Sequence, residues 1–389
     1  MNFEFTPEQQ MLRAAVRAYA EAELAPAYRD RDTSGEFPFD VWRRLADMEI
    51  TGLAVSEANG GNPGGYVAIG IVAEELARGD HSSAYLMLIT PIVGELLDRW
   101  GTDRAKKDWL TRFLAGTSVI SLAVTESSGG SDAAAMRMKA VATPDGYRLT
   151  GEKSGVTMTM AVDALIVFAR AVVDGVDKGI TAFLVPMDAP GVSRHPIDDM
   201  GARSIGRGIV AFDDVLVPVD YRLGEEGTGF REVMIGFDCT RVILALMSIG
   251  AAMKSIEETL EYARQRTSFG RPLAANQGVQ FPLAEHHTKL EMARLYCYYA
   301  LWLRDTGRPH TREAAACKWI GPELSVAAIH DCMILHGHYG WTRDLPLELR
   351  LRDVIGTEIA DGTPQIAKSV VARELLGRGF VRLDGTVGR

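Results

Sequence analysis

Leu122-Ala-Val-Thr-Glu-Ser-Ser-Gly-Gly-Ser-Asp132 begins as a short apolar, β-type run and ends as a polar loop with two glycines. Gly129 and Gly130 lack Cβ atoms, so the backbone there can come close to a bulky anionic ligand. Ser131 adds a hydroxyl beside backbone N–H groups, a donor set that suits a pyrophosphate. Such a loop alone is an ordinary glycine-serine turn. Its weight comes from its place, at the point where the character of the chain changes.

Before the loop the sequence is helical. Thr6, Pro7 and Gln9 form a capping-box start, and Met11, Leu12, Ala15, Val16 and Tyr19 follow at helical spacing. A second helical stretch is predicted over Asp98 to Ala115, with Gly60 to Gly65 as a loop between. After Val119 the runs Ile120 to Thr125, Tyr147 to Gly151, Ala164 to Ala171 and Ile180 to Val185 are short and rich in apolar and β-branched residues, as strands are. Phe212 to Pro218 and Leu223 to Gly229 close this region. From Phe230 onward, Ile243 to Arg264, Leu283 to Asp305, Glu313 to Leu335 and Gln365 to Leu376 predict four helices in an antiparallel bundle, with Pro282 marking a helix start. The organisation is therefore α+β and multidomain: a helical domain over 1–118, a β-barrel-like domain over 119–228 and a four-helix bundle over 229–389.

With 389 residues the chain can bury a large core, and its net charge of −9 argues against nucleic acid as a main partner. Cys239, Cys297, Cys317 and Cys332 form no Cys-x-x-Cys pair and are expected as buried thiols in a reducing, cytoplasmic setting. The first ten residues have neither a basic region nor an apolar run, so no secretory signal is expected, and no stretch is expected to span a membrane.

The loop at 122–132 resembles the flavin loop of the acyl-CoA dehydrogenase family, with Ser127 in place of a usual proline. The resemblance runs through the whole chain in the family's order. It implies FAD held by Leu122, Val124, Thr125, Gly130 and Ser131. In Lys153-Ser-Gly-Val-Thr157 it implies contact from Thr157, with Gly155 where an aromatic is usual; read locally, Gly155 is a strand glycine at a bulge. Arg266-Thr-Ser-Phe-Gly-Arg271 resembles the motif whose arginine reaches the FAD pyrophosphate of a neighbouring subunit, a task suited to a planar guanidinium. Arg266, Phe269 and Gln277 are the implied contacts, and the protein should then be a homo-oligomer, a tetramer by resemblance. His336-Gly-His-Tyr-Gly-Trp-Thr-Arg-Asp-Leu-Pro346 implies further contacts from His336 and Gly337, although His338 and Ile334 replace a usual glycine and glutamine. No zinc-like spacing links His330, His336 and His338, and no metal is expected.

The catalytic base follows from Ile359-Ala-Asp-Gly-Thr-Pro-Gln-Ile366. The family has a glutamate there, and the aligned residue is Asp361. Locally Asp-Gly is a turn, and Thr363-Pro364 a helix start at which Thr363 and Gln365 would both cap the helix and touch FAD. By resemblance the backbone N–H of Asp361 also supports the thioester carbonyl, and Ser131, Asp238 and Arg241 line the acyl-CoA channel. For Asp238 and Arg241 an internal ion pair is an equal reading.

Aspartate is shorter than glutamate by about 1.5 Å, roughly one C–C bond, and a misplacement of about 1 Å can cost ~100-fold in rate. Ala360 and Gly155 also stand where aromatics are usual. A wide, short pocket suits a ring, and the chain is most similar to the cyclohexanecarboxyl-CoA dehydrogenase subgroup through Gly151 to Val156, Met200 to Ala202, Ile205 to Gly208 and Pro309 to Ala314. The implied reaction is α,β-dehydrogenation of an alicyclic acyl-CoA. The 1,4-dehydrogenation of a cyclohexene-carboxyl-CoA, a short- or branched-chain substrate, and a nitroalkane-oxidase-like flavin oxidase are the alternatives. No nicotinamide fingerprint or P-loop is present, and the resemblance implies an electron-transfer flavoprotein as electron acceptor.

Overall fold

A computed structural model describes residues 4–377 and 379–381. The first third is helical: α1 (Pro7–Tyr19), α2 (Ala25–Ser34), α3 (Phe39–Asp47), α4 (Gly65–Gly79), α5 (His81–Ala84), α6 (Leu86–Trp100), α7 (Asp103–Ala105) and α8 (Thr111–Leu114). The capping box forms as expected. Thr6 Oγ1 accepts the Gln9 N–H at 3.3 Å, and Gln9 Oε1 accepts the Thr6 N–H at 3.1 Å. The helix predicted over Asp98 to Ala115 is divided. α6 stops at an extended Gly101, and Thr102 caps a new start by accepting the Ala105 N–H at 3.1 Å.

The sheet comprises β1 (Ile120–Ala123), β2 (Lys139–Thr143), β3 (Gly146–Thr157), β4 (Ala164–Val173), β5 (Val176–Pro186), β6 (Val192–Ile197), β7 (Arg207–Val217) and β8 (Arg222–Leu223). Its order is β6-β7-β3-β2-β4-β5-β8, with β1 also paired to β4. β1 and β2 run parallel to β4, and the other pairs are antiparallel. The path is open, ending at β6 and β8. β2 and β6 escape a pattern reading because both are largely uncovered. β6 lies at an edge, which is why Pro196 is tolerated in it.

The remaining chain forms α9 (Gly229–Gln265), a small hairpin of β9 (Thr267–Ser268) and β10 (Arg271–Pro272), then α10 (Gln277–Asp305), α11 (Thr311–Leu335), α12 (Leu347–Ile359) and α13 (Pro364–Leu376). Two expectations are corrected here. Pro282 lies inside α10, not at its start. Gly278, four residues earlier, has no side chain and open space beside it, so the backbone can yield to the proline ring. The expected four helices are joined by α12, whose buried face includes Arg350 and Asp353 and so breaks the apolar period. α9 is long and apolar enough to cross a bilayer, but 72% of its most apolar window is buried inside the protein, as in a core helix.

α12 ties the helical and sheet regions together. Tyr28 Oη and Ser82 Oγ donate to Asp353 Oδ2 at 2.6 and 2.7 Å, and the Ala202 N–H donates to Oδ1 at 2.7 Å. Arg352 pairs with Asp32 at 2.8 Å and donates to the Met200 carbonyl at 2.7 Å. Burial pushes the Asp353 carboxyl up to about 6, against the pull of these hydrogen bonds. The helix that leads into Asp361 is thus fixed to α2, α5 and the loop before β7.

Candidate active site

Asp361 occupies the turn between α12 and α13 with φ of 53°, in the left-handed region. Aspartate enters that region more readily than longer side chains do, so the turn itself favours the shorter acid. Thr240 Oγ1, on α9, donates to Asp361 Oδ2 at 2.6 Å. Arg241 Nε donates to the Asp361 carbonyl at 3.2 Å. Burial raises the Asp361 carboxyl above its ordinary value, while Thr240, Arg241 and Lys318 pull it the other way. A carboxylate made costly to ionise is a stronger proton acceptor. The backbone N–H of Asp361 bonds no described atom and is free to donate to a ligand.

Asp238 and Arg241 form the internal pair, at 2.8 Å. Thr311 Oγ1 also donates to Asp238, at 2.6 Å. Their visible work is on the turn that bears Asp361. Thr363 is the N-cap residue of α13, but its hydroxyl makes no capping bond, which corrects that expectation. The first N–H groups of α13 are left uncapped and the Thr363 hydroxyl is uncommitted. That helix end attracts negative charge. Gln365 lies in the same first turn, exposed.

On the sheet side, Leu122 and Val124 are buried and Thr125 leads into an exposed loop. Glu126 anchors that loop. Its carboxylate accepts the N–H groups of Arg137 and Met138 at 2.7 and 2.9 Å and pairs with Lys153 Nζ at 3.0 Å. Lys153 is fully buried and also donates to the Val124 carbonyl at 2.8 Å. Burial alone would raise the Glu126 carboxyl, but the three donors outweigh it and hold it below its ordinary range. The Ser154 N–H donates to the Thr125 carbonyl at 2.9 Å, so β3 continues alongside the loop. Gly155 sits at a register break in β3 with φ of 67°, and a Cβ there would meet nothing within 4 Å. The bulge and the gap are both real. Thr157 pairs with Arg207 across the sheet. Burial pushes up the phenol of Tyr85, which lies in the fields of Asp353, Arg207 and Asp361, linking the strand side to the base side.

Arg266, Phe269 and Gln277 lie elsewhere, on the α9–α10 connection. Arg266 is exposed with no side-chain partner among the described residues. Phe269 has φ of 51° and is fully exposed at the tip of the β9–β10 hairpin, a strained place for an aromatic. None of the three makes a hydrogen bond or ion pair with the Asp361 cluster. His336 is buried, stacked on Tyr262 with ring centroids 4.2 Å apart, and its Nδ1 lies 2.8 Å from the Cys332 carbonyl oxygen. Gly337 has φ of 62° with open space around it.

Thr240, Lys318 and the Glu126–Lys153 pair were missed by sequence reasoning. Lys318 was discoverable: it is a lone cation on the helical face of Ala314, Gly321 and Ser325.

The uncapped α13 terminus, the uncommitted Thr363 hydroxyl and the exposed glycine loop are each donors of the kind that a pyrophosphate-bearing cofactor such as FAD requires. Comparison with known proteins agrees. The N-terminal, middle and C-terminal domain families of acyl-CoA dehydrogenases match residues 6–117, 121–215 and 227–376. A probable acyl-CoA dehydrogenase of Bacillus subtilis (strain 168) is 33% identical over 97% of this chain and 100% of its own length. The mitochondrial short-chain specific acyl-CoA dehydrogenase of Bos taurus is 34% identical over 96% of this chain and 92% of its own. The solved butyryl-CoA dehydrogenase from Megasphaera elsdenii superposes with a TM-score of 0.92 at 30% identity, covering 97% of this chain and 100% of that one. The chain belongs to the acyl-CoA dehydrogenase family, oxidoreductases that depend on FAD.

Proposed function

We propose that this enzyme oxidises an alicyclic acyl-CoA thioester, cyclohexanecarboxyl-CoA to cyclohex-1-ene-1-carboxyl-CoA, with Asp361 removing the α-proton. The observation that carries the reading is the short acid at Asp361, set in a left-handed turn and bonded to Thr240, with only Ala360 before it and open space at Gly155. These features leave room for the width of a ring.

The thioester carbonyl acidifies the α C–H, and a donor to its oxygen stabilises the charge that develops. The free N–H of Asp361 is suited to that task. Asp361 takes the proton on its carboxylate, while Thr240 and Arg241 keep the turn in place. FAD supplies the hydride acceptor for the β-hydrogen. Leu122, Val124, Thr125, Gly130, Ser131, Gly155, Thr157, Thr363 and Gln365 would hold it from one subunit, with His336 and Gly337 close by. Arg266, Phe269 and Gln277 would reach it from another. A strained, fully exposed Phe269 and an Arg266 without a side-chain partner among the described residues support a homo-oligomer, a tetramer by family likeness. Ser131 would also touch the thioester. An electron-transfer flavoprotein is the proposed acceptor, and four buried free cysteines support a reducing, cytoplasmic setting.

Short-chain oxidation is the second reading, supported by the bovine and Megasphaera relatives, whose names specify short-chain and butyryl substrates. The 1,4-dehydrogenation of the ring and a nitroalkane-oxidase-like reaction remain further alternatives. Anaerobic mixing of the flavoprotein with cyclohexanecarboxyl-CoA, cyclohex-1-ene-1-carboxyl-CoA or butyryl-CoA decides among the thioesters. The cyclic saturated thioester should bleach the flavin fastest. Faster bleaching by butyryl-CoA removes the cyclic assignment, and bleaching only by a nitroalkane removes the thioester reading.

A further inference from the structure

Lys318 lies on α11, fully buried, an uncommon place for an ammonium. Among the described residues its one hydrogen bond goes to the Glu358 carbonyl at 3.2 Å, in the last turn of α12. A helix C-terminus ends in carbonyls without partners and carries partial negative charge, so a cation there is stabilising. Two residues later the chain leaves the helix, and at Asp361 it turns through a left-handed conformation before α13 begins. A small change in where α12 stops therefore moves the acid directly. No other side chain bonds the carbonyls of that last turn among the described residues.

We propose that Lys318 is a positioning residue for the dehydrogenation: by holding the end of α12 it fixes where Asp361 stands, and by its charge it favours the ionised base. This rests on Asp361 being the base, as proposed above. The charged groups around Lys318 are Arg241 from α9, Glu358 from α12 and Asp361 from the turn. Glu323, on α11 itself, acts on Glu358. Burial lowers the Lys318 ammonium to about 8, and Asp361 and Glu358 pull it upward against Arg241. Lys318 and Asp361 thus support each other's charged forms, with no direct bond between them.

Two variants separate the roles. Lys318→Gln keeps a donor for the Glu358 carbonyl and removes the charge. Lys318→Met removes both. With any thioester that the wild type oxidises, Lys318→Met is expected to lower kcat by about 10- to 100-fold with little change in KM, because a displacement of about 1 Å is costly. Lys318→Gln should keep most of kcat at high pH and move the acid limb of the profile to higher pH, and Lys318→Arg should restore part of the wild-type profile. A purely structural lysine would not move the acid limb. Independently of turnover, the infrared band of the protonated carboxyl, assigned by its loss in Asp361→Asn, should persist to higher pH in Lys318→Gln. An unmoved band and acid limb in Lys318→Gln overturn the charge role. A kcat within twofold of wild type in Lys318→Met overturns the positioning role. If no thioester reduces the wild-type flavin, the functional reading itself fails, a separate outcome.

Discussion

Asp361→Asn is expected to lower kcat by about 10²- to 10⁴-fold, the usual contribution of a general base, while the protein stays yellow and folded. The amide keeps the size of the side chain and can still bond the Thr240 hydroxyl, so the turn survives and only the proton acceptor is lost. KM should change little, because the acid acts on the α C–H and does not anchor the CoA. In the wild type, burial raises the carboxyl, and activity needs its anion. The rate should therefore fall with decreasing pH through a limb placed above the ordinary carboxylate range. Stopped-flow bleaching of the flavin across pH reads both effects. A variant with wild-type rates would remove Asp361 from the mechanism.

Lys153→Met should be the most damaging change outside the acid. Lys153 is fully buried, and its ammonium joins Glu126 to the Val124 carbonyl at the root of the flavin loop. Removing one partner of a buried ion pair costs about 3–5 kcal/mol, since the other charge is left unpaired. The loop from Thr125 to Met138 would lose its anchor, so weaker FAD retention should accompany a lower Tm. The sign of the pH effect follows from Glu126, whose carboxyl is held below its ordinary range. Its contribution is present above the carboxyl's unfolded value and lost as pH falls through the lowered one. Loss of FAD as pH falls below the ordinary carboxylate range should therefore be steeper in the wild type than in the Glu126→Gln, Lys153→Met double variant. Thermal unfolding and released-flavin fluorescence measure both effects, and a single variant within 1 kcal/mol of wild type would show that the pair is not an anchor.

Much of this was legible in the sequence because its signals are local. The runs that became β1, β4 and β5 are continuous, short and apolar, rich in β-branched residues, and the capping box at Thr6 needs only its neighbours. The Asp-Gly turn at Asp361 and the start of α13 at Pro364 are likewise local. What stayed hidden depends on partners far along the chain. α12 reads as polar because Arg350 and Asp353 face inward, where Glu258, Tyr28, Ser82 and Ala202 satisfy them. The burial of Lys153 depends on Glu126, 27 positions earlier, which neutralises it and which no local pattern links to it. The Thr240 bond to Asp361 spans 121 positions and no spacing rule could give it. The ambiguity at Asp238 and Arg241 was of the same kind: only the fold shows the two paired while Arg241 grips the Asp361 carbonyl.

Proton removal and hydride loss can be separated with 1,3-dithiane-2-carboxyl-CoA, in which sulfur replaces both β-carbons of the ring, so that the α C–H is acidic and no β-hydrogen is left to give up. Incubated in heavy water and followed by NMR, this analogue should exchange its α-hydrogen for deuterium with the wild-type enzyme and not with Asp361→Asn, although both bind it. Equal exchange by the two proteins would mean that another group takes the proton, and the role assigned to Asp361 would be wrong.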